Sequence, residues 1–276
     1  MSIAVADKAF VGSIPKLYEE HMVPMIFEPY ATDLVNRVAA RSLGKLLANV
    51  LEIAAGTGVV TRKLATKLPE SVAIVATDLN QPMLSLAVEL GTQRPVEWRQ
   101  ADAMQLPFDN STFDAVVCQF GVMFFPDKAQ AFAEARRVLR PGGVLIFNVW
   151  DRIEENEFTH TVSMALDTLF PTDQPRFMQR VPHGYYDLDT INKDLKSGGF
   201  TALPKFSTIA ARSKAASPRI PATAFCQGTP LRNEIEARGS ATLDEATNVA
   251  AAAIAKRFGS GPVAGKIQAH VIAVER

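Results

Sequence analysis

The chain is poor in cysteine. Cys118 and Cys226 stand far apart and no Cys-x-x-Cys occurs. That pattern offers no disulfide framework and no cysteine-rich metal site, and two reduced thiols in a cytoplasmic protein are the expectation. No residue is assigned to a metal. Excess charge is also missing, since 29 Lys and Arg balance 29 Asp and Glu. This argues against a nucleic-acid surface driven by overall charge and leaves room only for a local basic patch, so no nucleic-acid partner is expected. No window reaches the ~20 apolar residues of a membrane span. The N-terminus lacks a basic region followed by a long apolar core, so no signal peptide is expected. Neither an internal repeat nor a low-complexity tract is present. What remains is a 276-residue chain, 47% apolar and 21% charged. That suits a globular protein of one large domain, or of one domain plus a cap.

The most informative stretch runs from Val50 to Gly58: Val-Leu-Glu-Ile-Ala-Ala-Gly-Thr-Gly. An apolar run ends in an acidic residue and breaks into a turn of small residues. A helix-compatible run, Val59 to Leu68, follows and stops at Pro69. Strand, tight turn and helix in that order bring backbone close to a ligand that side chains would exclude, and the helix start offers it unpaired N–H groups. The first unit of an α/β sheet is therefore expected to end in a nucleotide-like cofactor site.

The rhythm continues. Strands are predicted at Val50–Ile53, Val72–Thr77, Val96–Gln100, Phe113–Gln119 and Val144–Trp150. Helices are predicted at Asn80–Leu90, capped by Asn80, and at Asp127–Leu139. Asp127 caps the latter, Gln130 takes the capping-box position, and Pro141-Gly142-Gly143 ends it. Uninterrupted apolar strands alternating with helices imply a parallel sheet covered on both faces. Upstream, residues 13–47 read as helices interrupted by Pro24 and Pro29, behind a loose leader. Downstream, helices are expected at Glu155–Phe170 and Asp187–Ser197, and strands at Phe206–Arg212 and Ile267–Glu275. Between those strands lies an insertion of two helices, residues 214–263. Thr242 and Glu245 form a capping box in its second helix, and Leu243, Ala246, Val249 and Ala253 line one face. The fold class is thus α/β: a doubly wound, mostly parallel seven-stranded sheet, a helical lead-in over residues 1–47, and a helical insertion before the last strand that could cover the sheet's carboxyl edge.

Glu52, Asp78 and Asp102 end three consecutive strands, where ligands bind in such sheets. Each alone reads as a cap or a solvated loop residue; all three in order are hard to explain that way. A ribose-binding Asp78 fits either a nicotinamide dinucleotide or S-adenosylmethionine. The dinucleotide fingerprint wants a third small residue, and Val59-Val60-Thr61 follows Gly56-Thr57-Gly58 instead.

Five segments in order carry a more specific signal: Leu51-Glu52-Ile53-Ala54-Ala55-Gly56-Thr57-Gly58, Ala76-Thr77-Asp78-Leu79-Asn80-Gln81-Pro82-Met83-Leu84, Ala101-Asp102-Ala103-Met104-Gln105-Leu106-Pro107-Phe108, Ser111-Thr112-Phe113-Asp114 and Arg137-Val138-Leu139-Arg140-Pro141-Gly142-Gly143. Over about residues 45–150 the chain resembles the class I S-adenosylmethionine-dependent methyltransferases, small-molecule branch, which includes the ubiquinone/menaquinone C-methyltransferases. The resemblance implies an S-adenosylmethionine-binding Rossmann-like domain over residues 48–276, and methyl transfer to a small, partly hydrophobic acceptor at oxygen, nitrogen or carbon. It implies that the Gly56–Gly58 turn packs on the methionine part of the cofactor, with Glu52 toward its ammonium. Asp78 would hold the ribose, Leu79 and Met83 flank adenine, and Asp102 accept from the adenine amino group beside Ala103 and Met104. Gln119 would lie near the carboxylate or sulfonium. Ala54 departs from the family pattern, which has glycine there.

A general base is needed only if the acceptor must lose a proton. The candidates are Tyr18, His21 and Tyr30 in the lead-in, and His183, Tyr185 and Tyr186 in Pro182-His183-Gly184-Tyr185-Tyr186; Tyr18, His21 and His183 stand first. Phe120, Met123, Phe124 and Phe125 are candidate pocket walls. Two other readings stay open at this point: an NAD(P)-dependent oxidoreductase, and a non-catalytic S-adenosylmethionine-binding protein. Oligomeric state, monomer or homodimer, is also open.

Overall fold

The computed structural model describes Asp7, residues 10–42 and residues 47–276. Most of the leader, and the last stretch of the lead-in before Leu47, fall outside the described residues. The chain divides into two compact units. One comprises Met1–Glu28, Trp150–Gly184 and Ile209–Ala269; the other comprises Pro29–Val149, Tyr185–Thr208 and His270–Arg276.

Seven strands form one sheet: β1 (Asn49–Glu52), β2 (Ala73–Asp78), β3 (Glu97–Gln100), β4 (Phe113–Gln119), β5 (Leu139–Trp150), β6 (Lys205–Ala215) and β7 (Val263–Glu275), in the order β3-β2-β1-β4-β5-β7-β6. β1 lies parallel to both β2 and β4, β2 to β3, and β4 to β5. β7 runs against β5: Gly142 N donates to Arg276 O and Arg276 N to Gly143 O, while Asp151 N donates to Gln268 O. The expected doubly wound, mostly parallel sheet is therefore present. The strand order turns back on itself between β1 and β4; at such a switch point the connections leave the two carboxyl ends toward opposite faces, which is where open α/β sheets form a ligand crevice. Val50, Leu51, Val116, Val117 and Phe147 are fully buried beneath it, which accounts for their unbroken apolar runs.

The local signals hold in detail at two helix starts. Asp127 accepts from Gln130 N at 2.9 Å and caps Lys128–Val138. Thr242 and Glu245 exchange side-chain-to-backbone bonds of 2.7 and 3.1 Å at the start of Leu243–Phe258. Elsewhere the structure corrects the local pattern. Asn80 stands at the N-cap of Gln81–Leu90 but makes no side-chain cap bond; its amide turns back to Asp78 instead. Pro141-Gly142-Gly143 does not separate helix from strand, because β5 already begins at Leu139 and runs through it. A register shift against β4 absorbs the irregularity, with Gly142 at φ +77°.

The prolines of the lead-in do not break it. Ile14–Leu17, Tyr18–Phe27 and Glu28–Ser42 follow one another directly. Tyr18–Phe27 is wound as a π-helix, in which Glu28 N reaches Val23 O, and this wider turn takes in Pro24. Pro29 is the second residue of Glu28–Ser42, directly after the π-helical segment. The late insertion holds three helices, Arg219–Gln227, Leu231–Arg238 and Leu243–Phe258, because Gly228 stops the first and Pro230 starts the second. The buried face of the third is Ala246, Thr247, Ala250 and Ile254, rotated from the expected stripe. That helix packs on Arg219–Gln227 and on Glu157–Leu169, and both neighbours belong to the same unit.

Candidate active site

The turn after β1 is built on left-handed backbone. Ala54, Gly56 and Gly58 have φ of +54°, +57° and +84°. Glycine adopts such angles freely; alanine there costs ~1–2 kcal/mol. Space confirms the choice at Gly58. A β carbon there would stand 2.7 Å from Trp98 Cη2 on β3. The turn after β4 is as tight. A β carbon on Gly121 would stand 2.5 Å from Ala54 Cβ and 2.7 Å from Cys118 Sγ, so the two turns fit each other only because Gly121 has none. Phe120, just before it, also has positive φ, +51°. Its N–H is held by Asn148 Oδ1 at 2.9 Å, and its ring meets Tyr30 edge-on at 5.3 Å. Two strained non-glycine residues thus sit side by side where the crevice opens, as backbone strain commonly does at working sites.

The acidic strand ends converge on this turn. Asp78 Oδ2 accepts from Gly56 N at 2.8 Å and Oδ1 from Asn80 N at 2.7 Å. Burial pushes its carboxyl up, and these N–H donors oppose that shift. Glu52 is 1% exposed and accepts from Thr61 Oγ1 at 2.5 Å. It forms no ion pair among the described residues, and burial raises its carboxyl to about 8. Thr61 is itself fully buried. The oxidoreductase reading needs the turn to work with Thr61 where the fingerprint has a small residue, and the structure buries Thr61 with its hydroxyl on Glu52.

Asp102 folds its own loop, with Met104 N donating to Oδ1 at 2.9 Å. Ala103 and Met83 are buried, while Leu79 is exposed. Residues 102–108 are then clamped from the helix Lys128–Val138. Gln130 Nε2 donates to Met104 O, Leu106 N to Glu134 Oε2, and Arg137 to the carbonyls of Leu106 and Phe108. Gln130, expected at a capping box, serves this clamp with its side chain. Arg137 lies in one of the five segments that carry the family resemblance and Glu134 lies outside them; the local signal for this pair is its i,i+3 spacing.

Three buried polar atoms at these turns have no partner among the described residues: Thr57 Oγ1, Gln119 Oε1 and Asn148 Nδ2. Gln119 and Asn148 are register partners at the ends of β4 and β5. Unpaired buried polar atoms are costly and are usually met by water or a ligand. Met123 is buried, and Phe124 and Phe125 are half-buried.

Of the candidate bases, Tyr18, His21 and His183 belong to the first unit. Tyr18 stacks on Phe27 at 4.9 Å, and His21 Nε2 lies 3.8 Å from Glu20. His183 is buried, with Nδ1 2.8 Å from Asp151 O. A carbonyl only accepts, so Nδ1 carries the proton and Nε2 presents a lone pair. Burial depresses the His183 imidazole to about 4, so it is neutral. In the second unit, Tyr185 donates to Asp194 Oδ2 at 2.7 Å, and burial pushes its phenol far up. Tyr30 is fully buried and Tyr186 exposed.

Residues 51–147 match the family described as methyltransferase domain. Among curated proteins, the chain is 44% identical over 103 residues to the demethylmenaquinone methyltransferase of Lactiplantibacillus plantarum, covering 36% of this chain and 44% of that protein. It is 41% identical over 164 residues to the ubiquinone/menaquinone biosynthesis C-methyltransferase UbiE of Teredinibacter turnerae, covering 55% and 66%. The matches thus span from under half to about two thirds of those relatives' lengths. Among solved structures, the YcgJ protein of Bacillus subtilis shares the fold with a TM-score of 0.55 at 17% identity, over 89% of this chain and 99% of that one. No helix among the described residues is long and apolar enough to cross a membrane.

Proposed function

Because this chain carries a methyltransferase domain at residues 51–147 and belongs with the class I S-adenosylmethionine-dependent methyltransferases, we propose that it transfers the cofactor's methyl group to a small, partly hydrophobic acceptor. The observation that carries the proposal is one cluster at the carboxyl ends of β1 and β2: Glu52, the Gly56–Gly58 turn and Asp78, joined by the Gly56 N–H.

The residues present fit this cofactor. Glu52 is a buried acid that forms no ion pair among the described residues, which suits an ammonium. Gln119 Oε1, at the end of β4, and Thr57 Oγ1, on the turn after β1, are buried atoms with no hydrogen-bond partner among the described residues. S-adenosylmethionine supplies an electrophilic methyl on a sulfonium, so the protein's part is binding, alignment and exclusion of water. In this reading the Gly56–Gly58 turn, with Ala54 before it, packs on the methionine part. Asp78 receives the ribose hydroxyls while keeping Gly56 in place. Leu79 and Met83 flank the adenine, and Asp102, Ala103 and Met104 receive its amino edge on a loop that Arg137 holds rigid. Phe124 and Phe125 offer apolar, partly open surface to an acceptor. Where the acceptor must lose a proton, His183 is the best prepared of the three first candidates, since its neutral state and tautomer are already set; Tyr18 and His21 are the others.

The test is transfer itself. The purified chain is incubated with methyl-labelled S-adenosylmethionine and a panel of small phenols, amines and enolisable carbon acids, and products are read by mass. A labelled product, with stoichiometric S-adenosylhomocysteine, supports the proposal. Cofactor binding without turnover on any acceptor class contradicts it and favours a binding role.

A further inference from the structure

Two carboxyl groups are buried at the same turn, and their surroundings differ. Asp78 receives two backbone N–H groups, one on each oxygen, from Gly56 and Asn80. Glu52 receives a single hydroxyl, from Thr61. The other groups that face Glu52 give it little help. Arg62, on the helix Val59–Lys67, attracts it, yet that guanidinium donates through Nη1 to Thr57 O at 2.6 Å. From β2, Asp78 repels it. From β4, Cys118 faces it as a neutral thiol, its own pKa pushed up to about 12 by burial. Two buried like charges at one turn are unfavourable, and the one with fewer donors keeps the proton.

We infer that Glu52 is protonated when the site is empty, and that the ammonium group of S-adenosylmethionine displaces that proton on binding. The inference rests on the reading of this turn as the cofactor site. The balance is simple: the carboxylic acid of Glu52 and the ligand ammonium give a carboxylate–ammonium pair, and one proton passes to the buffer. Burial holds the acid near 8 in the empty site, so at pH 7 most sites carry the proton. Affinity should then rise with pH toward that value, by up to ~tenfold per unit.

The test is titration calorimetry with S-adenosylhomocysteine at pH 7, in phosphate and in Tris, whose ionisation heats differ widely. The difference in observed heat counts protons. The expected count at pH 7 is close to one (~0.9) released per site. 5′-Methylthioadenosine, which keeps the nucleoside and lacks the ammonium, should release none. Glu52→Gln should bind S-adenosylhomocysteine with no proton release. Equal heats in both buffers with the natural chain would overturn the inference while leaving the cofactor reading intact. So would undiminished release from Glu52→Gln or from the methylthioadenosine complex. No binding of S-adenosylhomocysteine at all would sink the cofactor reading and the inference with it. Should Glu52→Gln fail to fold, the two-ligand comparison on the natural chain still decides.

Discussion

Asp78 Oδ2 accepts the Gly56 N–H at 2.8 Å across 22 residues of sequence. The carboxylate at the end of β2 therefore holds the turn after β1, and in the proposed function it also receives the ribose. Asp78→Ala removes a charged acceptor from both. S-adenosylhomocysteine affinity should fall by more than ~tenfold, in line with ~1.5–3 kcal/mol for a hydrogen bond to a charged group. The far-ultraviolet circular dichroism spectrum should be unchanged. Affinity within twofold of the natural chain would refute the role.

Gly58 and Trp98 give a second, purely steric prediction. At Gly58→Ala a β carbon would stand 2.7 Å from the indole, at a φ of +84°. Stability should drop by ~1–3 kcal/mol from strain and overpacking together. Adding Trp98→Leu should recover only the overpacking share, which a double-mutant cycle in urea can measure.

Ala54 predicts the reverse. Its φ of +54° suits glycine. Ala54→Gly would relieve ~1–2 kcal/mol of strain and lose ~0.5–1 kcal/mol to chain entropy. A change between zero and a stabilisation of ~1.5 kcal/mol should follow, with ligand affinity unaltered. Substantial destabilisation would mean that Ala54 Cβ packing on the turn after β4 outweighs the strain.

These relationships mark the limits of what could be read beforehand. Glu52 and Asp78 were legible because each ends a short apolar run, Asp102 because it follows the third strand in the same order, and the glycines because a tight turn requires them. Asp127 and Thr242 were legible because a cap is a local event. By contrast, Thr61 bonding Glu52, Gly121 making room for Ala54, and Arg137 clamping Leu106 and Phe108 are tertiary contacts. No period of 2 or 3.6 encodes them. Pro24 misled because a π-helix absorbs a proline that would interrupt an α-helix, and Pro141-Gly142-Gly143 because a shifted register let β5 continue through it.

The buried acid also makes stability depend on pH. Glu52 titrates near 4.5 when unfolded and at about 8 when folded. Between those values the folded chain keeps a proton that the unfolded chain has lost, so this group's contribution weakens as pH rises from 4.5 to 8. Glu52→Gln should remove that slope. Relative to the variant, the natural chain should lose roughly 3–4 kcal/mol between pH 5 and pH 8. His183, depressed to about 4, acts in the opposite sense below 6.5 and is common to both proteins, so it cancels in the comparison. Parallel pH profiles of unfolding would show that Glu52 is ionised throughout.

The central claim is that the crevice between β1 and β4 takes S-adenosylmethionine. Its most direct test is equilibrium titration of the purified chain with S-adenosylhomocysteine, with NADH run in parallel. Saturable binding of S-adenosylhomocysteine alone, weakened by Asp78→Ala, is the predicted result. Binding of NADH alone would contradict the account and make the Gly56–Gly58 turn a dinucleotide site.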